Sequence, residues 1–320
     1  MPKTILVTGV TGYIGAAVAR AFHGAGWTVY GLIRRPSDAA ALSAAGITPL
    51  VGSLSSLDWL AELKDVKLDA ISSNTEDPSD MEGHYRAVRR MLDALAASGC
   101  KDYGRTPLAD DPALAPHTED SPLNPPAVLR PRTDFMRSIL AAAAAGETEF
   151  DVIVLRPTNV YGGSSSYWGE LFFRASRAAE KGEELVVPGN PRTVLHGCHV
   201  DDAAAAYVAL ASHSPRAEVV NRAFNISNSR YSTLGAAVDA LAMDYGVEAR
   251  CEPQKIKEDL PELAFSQWVG SDELRRATGW KETRPDIFEA IGQYRREYER
   301  ALEEGDVWLK KMVASEFGAK

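Results

Sequence analysis

The stretch Ile5-Leu6-Val7-Thr8-Gly9-Val10-Thr11-Gly12-Tyr13-Ile14-Gly15 decides how the rest of the chain is read. An apolar run passes straight into three glycines spaced G-x-x-G-x-x-G. Ile14, Val18, Ala21 and Phe22 then recur at helical spacing until Gly24-Ala25-Gly26 stops them. That is a strand, a tight turn and a helix start. Gly9 lets the chain leave the strand abruptly, Gly12 removes the Cβ that would keep a pyrophosphate from the backbone, and Gly15 lets the helix lie against the strand. The first N–H groups of the helix and its positive dipole end then face a phosphate. Trp27 to Ile33 reads as the next strand and completes a strand–helix–strand unit.

With Thr8 ahead of the first glycine and Tyr13-Ile14 inside the turn, the stretch resembles the extended branch of the short-chain dehydrogenase/reductases, the NAD(P)-dependent epimerase/dehydratase family. The resemblance implies an α/β fold: a Rossmann-type doubly wound parallel sheet over 1–165, with 190–230 returning to it. A smaller C-terminal α+β substrate lobe would come from 166–189 and 231–320. It also implies a dinucleotide at Gly9, Thr11, Gly12, Tyr13, Ile14 and Gly15.

Composition is that of a globular protein, with 320 residues, 45% apolar and 25% charged. A net charge of −9 and the absence of a Lys/Arg-rich run argue against nucleic acid as a partner. No segment reaches the ~18 apolar residues of a membrane span, and the start runs directly into the first strand, so a cytoplasmic protein without membrane contact is expected. Three scattered cysteines indicate neither a disulfide framework nor a zinc site, and no metal is expected. Relatives are often dimers, so a homodimer is an expectation from the resemblance alone.

About 20 positions after the glycine turn, a carboxylate accepts from a ribose 2′-OH whereas an arginine accommodates a 2′-phosphate. Arg34-Arg35 stand there, and Asp38 follows only after Pro36. NADP(H) is favoured, with NAD(H) the alternative. Ile47 to Val51 reads as the third strand, with Ser53 and Leu54 in the turn beside the adenine. Leu68 to Ser73 reads as the fourth, where the small Ser72 and Ser73 leave room for the cofactor. A helix spans roughly 80–98.

A fifth buried strand should follow, but Ala97-Ser98-Gly99 runs directly into Cys100-Lys101-Asp102-Tyr103-Gly104, which has no apolar run. The fifth strand is missing or degenerate. One Ser98-Gly99 serves both as a helix end and as the end of a strand, as though about ten residues were lost from the gene product between them. Residues 106–132 hold seven prolines and read as a long surface loop. A helix resumes around Thr133, and Phe150 to Leu155 reads as a buried strand.

Arg156-Pro157-Thr158-Asn159-Val160-Tyr161-Gly162 resembles the family motif in which Pro157 lies by the nicotinamide and Asn159 in the substrate cleft. His196-Gly197-Cys198-His199-Val200-Asp201-Asp202 resembles its His-Val-Asp-Asp segment. Arg192 and His199 join Asn159 as substrate-cleft candidates. Asp201 or Asp202 is placed to cap the helix that opens there, and the two histidines read as structural. The tail from 285 to 317 carries Ile287, Ile291, Tyr294, Tyr298 and Leu302 on one face, as a packing helix does.

The resemblance implies proton relay through a tyrosine with a lysine four residues on, helped by a hydroxyl. None of the eleven tyrosines has that lysine. The matching stretch puts Leu129 and Thr133 at the Tyr and Lys positions and Gly99, after Ser98, at the hydroxyl position. Leucine has no proton to give and threonine cannot lower a phenol's pKa. The catalytic residues are therefore unknown; Tyr103, Tyr161, Tyr167 and His199 are the replacements on offer. Two readings remain: an NAD(P)-dependent oxidoreductase or epimerase acting on a carbonyl or hydroxyl of a small sugar-like molecule, or a non-catalytic NADP(H)-binding sensor or scaffold.

Overall fold

The alternation within Ile5-Leu6-Val7 sets the layering. In a computed structural model that describes residues 2–77, 79–95, 116–121, 130–148, 150–163, 168–253, 266–306 and 309–310, they form the middle of β1 (Thr4–Thr8). Successive strand side chains face opposite ways, so Ile5 and Val7 enter one apolar core and Leu6 another. The first core is closed by α1 (Tyr13–Gly24), through Val18 and Phe22, and by α6 (Val200–Ser212), through Val200 and Ala204. The second is closed by α3 (Met81–Leu95) and α4 (Arg130–Ala144), through Val88, Met91, Leu92, Met136 and Ile139.

A strand covered on both faces is what a doubly wound parallel sheet requires. β1 pairs in parallel with β2 (Thr28–Ile33) and β4 (Ala70–Ser73), and β2 with β3 (Thr48–Val51), giving the order β3-β2-β1-β4. The short α2 (Ala39–Ala44) connects β2 to β3. This is the Rossmann-type α/β arrangement that the glycine turn led one to expect.

A second parallel pair, β5 (Ile153–Pro157) with β10 (Arg222–Ile226), lies under the same helices, since Val152 and Val154 share the core of Ile71. Among the described residues β4 pairs with β1 alone and β5 with β10 alone. The expected junction at 98–104 lies outside the described residues. The strand expected from Phe150 begins three residues later, because Asn221 takes both backbone groups of Val152, by its side chain at 2.9 Å and its amide at 2.5 Å, just before β10 starts. The helix expected around Thr133 begins at Arg130, with Pro131 in the first turn where no N–H partner is lost.

Beyond the sheet, β6 (Asn159–Tyr161) pairs in parallel with β9 (Gly197–His199), β7 (Leu185–Pro188) with β12 (Ala249–Glu252), and β8 (Val194–Leu195) antiparallel with β11 (Ser232–Thr233). A third core forms where Phe172 of α5 (Trp168–Lys181), Leu241 of α7 (Leu234–Tyr245) and Tyr294 and Tyr298 of α9 (Ile291–Glu303) meet Tyr161. A fourth joins α6 and β10 to α8 (Asp272–Thr278) through Leu210, Phe224 and Leu274. The tail helix packs as expected over Ile291–Glu303 and is interrupted at Gly305, whose φ of +85° suits a helix end, while Leu309 and Lys310 are helical again and the rest of the expected segment to 317 lies outside the described residues. Among the described residues no helix is long and apolar enough to cross a membrane.

His196, between β8 and β9, is a structural residue. Its Nε2 donates to the Asn228 carbonyl at 2.8 Å and its Nδ1 accepts the Val269 amide at 3.1 Å, while burial pushes its pKa down to about 4.

Two outcomes are expected. An added Cβ on Gly15 would run into the carbonyl oxygen of Gly9, so Gly15→Ala lowers stability by about 1–3 kcal/mol, read as a shifted urea midpoint at constant slope. The unfolded chain protonates His196 near pH 6.5 and the folded chain only near pH 4, so its contribution to stability is lost as pH falls through that window. Urea unfolding at pH 7 and pH 4 should show the wild type losing about 3 kcal/mol that His196→Gln does not lose.

Candidate functional site

At the carboxyl end of β1 the turn closes on its own backbone. Gly9 sits at φ +66°, Gly12 N donates to its carbonyl at 2.8 Å, and a Cβ on Gly9 would meet the Asn74 carbonyl oxygen at 2.5 Å. Helix α1 begins without a side-chain cap and without an acidic residue in its first turn. Its leading N–H groups therefore point outward unanswered, next to the exposed Thr11 and Gly12. Tyr13 and Ile14 are half-buried and Gly15 buried.

The β1–β4 register places Thr8 opposite Ser73, so Ser72 and Ser73 share that edge. Asn74 Nδ2 donates to Ser72 Oγ at 3.0 Å, and Thr75 lies against Gly9 with a buried Oγ1 that has no partner. Asn74 and Thr75 were not among the expected contacts, although they directly follow the serine pair. An uncapped helix end, a cradle that a Cβ would fill and an orphaned hydroxyl are the features a phosphate-bearing dinucleotide needs.

Arg34 and Arg35 are exposed at the end of β2. In the 3-10 turn Pro36–Asp38 that follows, the Asp38 carboxylate accepts from Arg35 Nε at 3.0 Å. Ser53 and Leu54 follow β3 half-buried, with the Ser53 carbonyl accepting the Trp59 indole N–H at 3.0 Å.

On the other side, the parallel pairing of β6 with β9 brings Asn159 opposite Gly197 and Tyr161 opposite His199, with Pro157 ending β5. Asn159 is only 9% exposed and its Nδ2 has no partner. Arg192 lies on the turn between β7 and β8, where its amide is held by Asn190. The expected acidic cap of α6 is replaced: His199 itself is the N-cap, its Nδ1 accepting the Asp201 amide at 3.1 Å. Asp202 instead accepts from Thr283 and from the Arg284 amide, and Asp201 from the Arg284 guanidinium. Because Nδ1 is an acceptor, the His199 proton sits on Nε2, and burial holds its pKa below the usual histidine value.

Of the replacement acids, Tyr103 and Tyr167 lie outside the described residues, as do Ser98, Gly99 and Leu129. Tyr161 donates to the Pro285 carbonyl at 3.0 Å and accepts from Asn228 at 2.8 Å, and burial pushes its phenol far up. Thr133 is fully buried in α4.

The residue beside Thr133 belongs to a polar group that sequence spacing did not bring together. Arg132 donates through Nε and Nη2 to the two oxygens of Glu76, and Tyr85 Oη donates to Glu76 Oε1 at 2.8 Å. The Tyr85 ring is stacked on Phe135 with centroids 5.0 Å apart. Glu76 directly follows Asn74 and Thr75, so this carboxylate, phenol and guanidinium stand at the rim of the glycine turn. Three residues from a loop and two helices share no periodicity that would reveal them. No group of His, Cys, Asp or Glu among the described residues could hold a metal.

The same architecture occurs in solved structures of low identity. MoeE5, in complex with UDP-glucose and NAD, superposes with a TM-score of 0.72 at 20% identity over 94% of this chain and 99% of that one. UDP-glucuronic acid 4-epimerase from Bacillus cereus, in complex with NAD, gives 0.72 at 14% over 96% and 99%. dTDP-glucose 4,6-dehydratase from Bacillus anthracis gives 0.72 at 15% over 94% and 98%. Uncharacterized protein C2A9.02 of Schizosaccharomyces pombe is 48% identical over 56 residues, 18% of this chain, and the match spans about a fifth (19%) of that protein's length. Residues 5–227, well over half of the chain and including the glycine turn, β6 and the His199 segment, match one family throughout: the chain belongs to the NAD dependent epimerase/dehydratase family.

Proposed function

We propose that the chain is an oxidoreductase or epimerase that binds a nicotinamide dinucleotide along Gly9, Thr11, Gly12, Tyr13, Ile14 and Gly15 and acts on a carbinol or carbonyl carbon of a sugar nucleotide. The substrate class is taken from the structural neighbours, whose bound ligands include UDP-glucose. Ser72, Ser73, Asn74 and Thr75 would line the dinucleotide, with Pro157 toward the nicotinamide and Asn159 and His199 toward the substrate. The dinucleotide, when bound, supplies the hydride acceptor or donor.

The observation that carries an enzymatic reading is the Tyr85–Glu76–Arg132 group at the rim of the turn. Tyr85 takes the proton of a substrate hydroxyl as its own passes to Glu76, and Arg132 holds that carboxylate in place. This rebuilds proton transfer without a lysine at position 133. The sensor reading is favoured by one fact, that Thr133 is buried where the relay cation belongs. A sensor needs the glycine turn but no ionisable group beside it.

For the cofactor we propose NADP(H), with Arg34 and Arg35 facing the 2′-phosphate. Asp38 is the group that would serve NAD(H) instead, and its pairing with Arg35 sets the two in competition.

Calorimetric titration should find NADPH bound more tightly than NADH, and Arg34→Ala/Arg35→Ala should weaken NADPH about tenfold while leaving NADH nearly unchanged. Tighter NADH binding by the wild type would reverse the assignment. With UDP-sugars and oxidised dinucleotide, Tyr85→Phe should lower kcat by about 10²–10⁴ with dinucleotide affinity unchanged. Dinucleotide binding without turnover of any UDP-sugar by the wild type would leave the sensor.

A further inference from the structure

The peptide group between Gly162 and Gly163 is gripped on both sides by residues from opposite ends of the chain. Its carbonyl accepts the Tyr13 hydroxyl at 2.6 Å, and its N–H donates to Glu297 Oε2 at 2.8 Å. Gln293, one turn earlier on α9, fixes the other oxygen of Glu297 at 3.0 Å. Both glycines are left-handed, at φ +92° and +62°, and a Cβ on Gly162 would overlap the His199 ring. The group has no freedom to turn away from either partner.

Tyr13 is the first residue of α1, so its backbone belongs to the helix end that faces the phosphate site. Burial, reinforced by Asp201 and Glu297, holds its phenol protonated, and it remains a donor. An oxygen that accepts from the N–H side of an amide polarises the carbonyl on the other side, which strengthens the bond that carbonyl accepts. The Tyr13 and Glu297 contacts are therefore one cooperative unit.

We infer that Glu297 is a positioning residue for the dinucleotide site, acting through the Gly162–Gly163 peptide on Tyr13 and the start of α1. This rests on the dinucleotide reading given above. It makes the C-terminal helix, which lies far from the glycine turn in sequence, part of the apparatus that sets cofactor affinity.

The test is a double-mutant cycle read by NADPH and NADH calorimetry, with thermal melting to confirm that each variant is folded. Tyr13→Phe and Glu297→Ala should each weaken the tighter dinucleotide roughly tenfold, and the double variant should lose no more than the larger single effect. Glu297→Gln keeps an acceptor oxygen for Gly163 and should bind within about twofold of the wild type, which a charge effect acting at a distance would not allow. Hydrogen exchange at the Gly163 amide should slow on adding dinucleotide to the wild type but not to Glu297→Ala. A folded Glu297→Ala chain with wild-type affinity, or losses that simply multiply in the double variant, would overturn the inference and leave the dinucleotide reading intact. Failure of the wild type to bind either dinucleotide would remove both.

Discussion

The structure depends on one close approach, that of the α1 N-terminus to the end of β1 with no side chain between them. A Cβ at Gly9 would strike the Asn74 backbone, and one at Gly15 would strike the Gly9 carbonyl. Without those two atoms, α1 starts directly over the strand it leaves and aims its free N–H groups along the carboxyl edge of the sheet. The rest is arranged about that helix. Its inner face packs with α6 over β1 and β2, its first residue reaches the turn after β6, and β4 ends against its glycines.

Tyr161 of β6 and Asp202 of α6 are tied to residues 283–294 by buried polar groups as well as by apolar contact. Tyr161 and Tyr294 both donate to the Pro285 carbonyl, at 3.0 and 2.8 Å, and the Asp202 carboxylate accepts from Thr283 and Arg284. Leaving any one of these groups unpaired costs about 1–3 kcal/mol, so each is committed to the fold. Tyr161 is committed in this way through both Pro285 and Asn228. Nearby, the buried Asn159 amide has spare donor capacity.

The edge of β4 has a different character. Glu76, Tyr85 and Arg132 converge there, next to the buried Thr133. A helix advances about 100° per residue, so Arg132 and its neighbour Thr133 face different ways from α4. Phe135 holds the Tyr85 ring from below, which keeps the phenol on the carboxylate.

The class of fold and the glycine turn at the end of β1 were legible in the sequence because they are local. Glycine spacing, a two-residue alternation and a 3.6-residue period all lie within one strand–turn–helix unit. Element ends were legible only to within a few residues: β5 starts where Asn221 permits pairing, which is a fact about another segment. Side-chain roles at the site were not legible. Arg35 and Asp38 meet through a 3-10 turn, Asp201 and Asp202 looked like caps until His199 took that place, and Glu76 and Arg132 are joined only by the packing of α4 against α3. By itself the sequence determined a β–turn–α unit able to hold phosphate, and that none of its eleven tyrosines is followed four residues on by a lysine. Which ionisable groups meet at its rim was decided by tertiary structure, because hydrogen bonds between distant segments follow from how helices pack and leave no period in the chain.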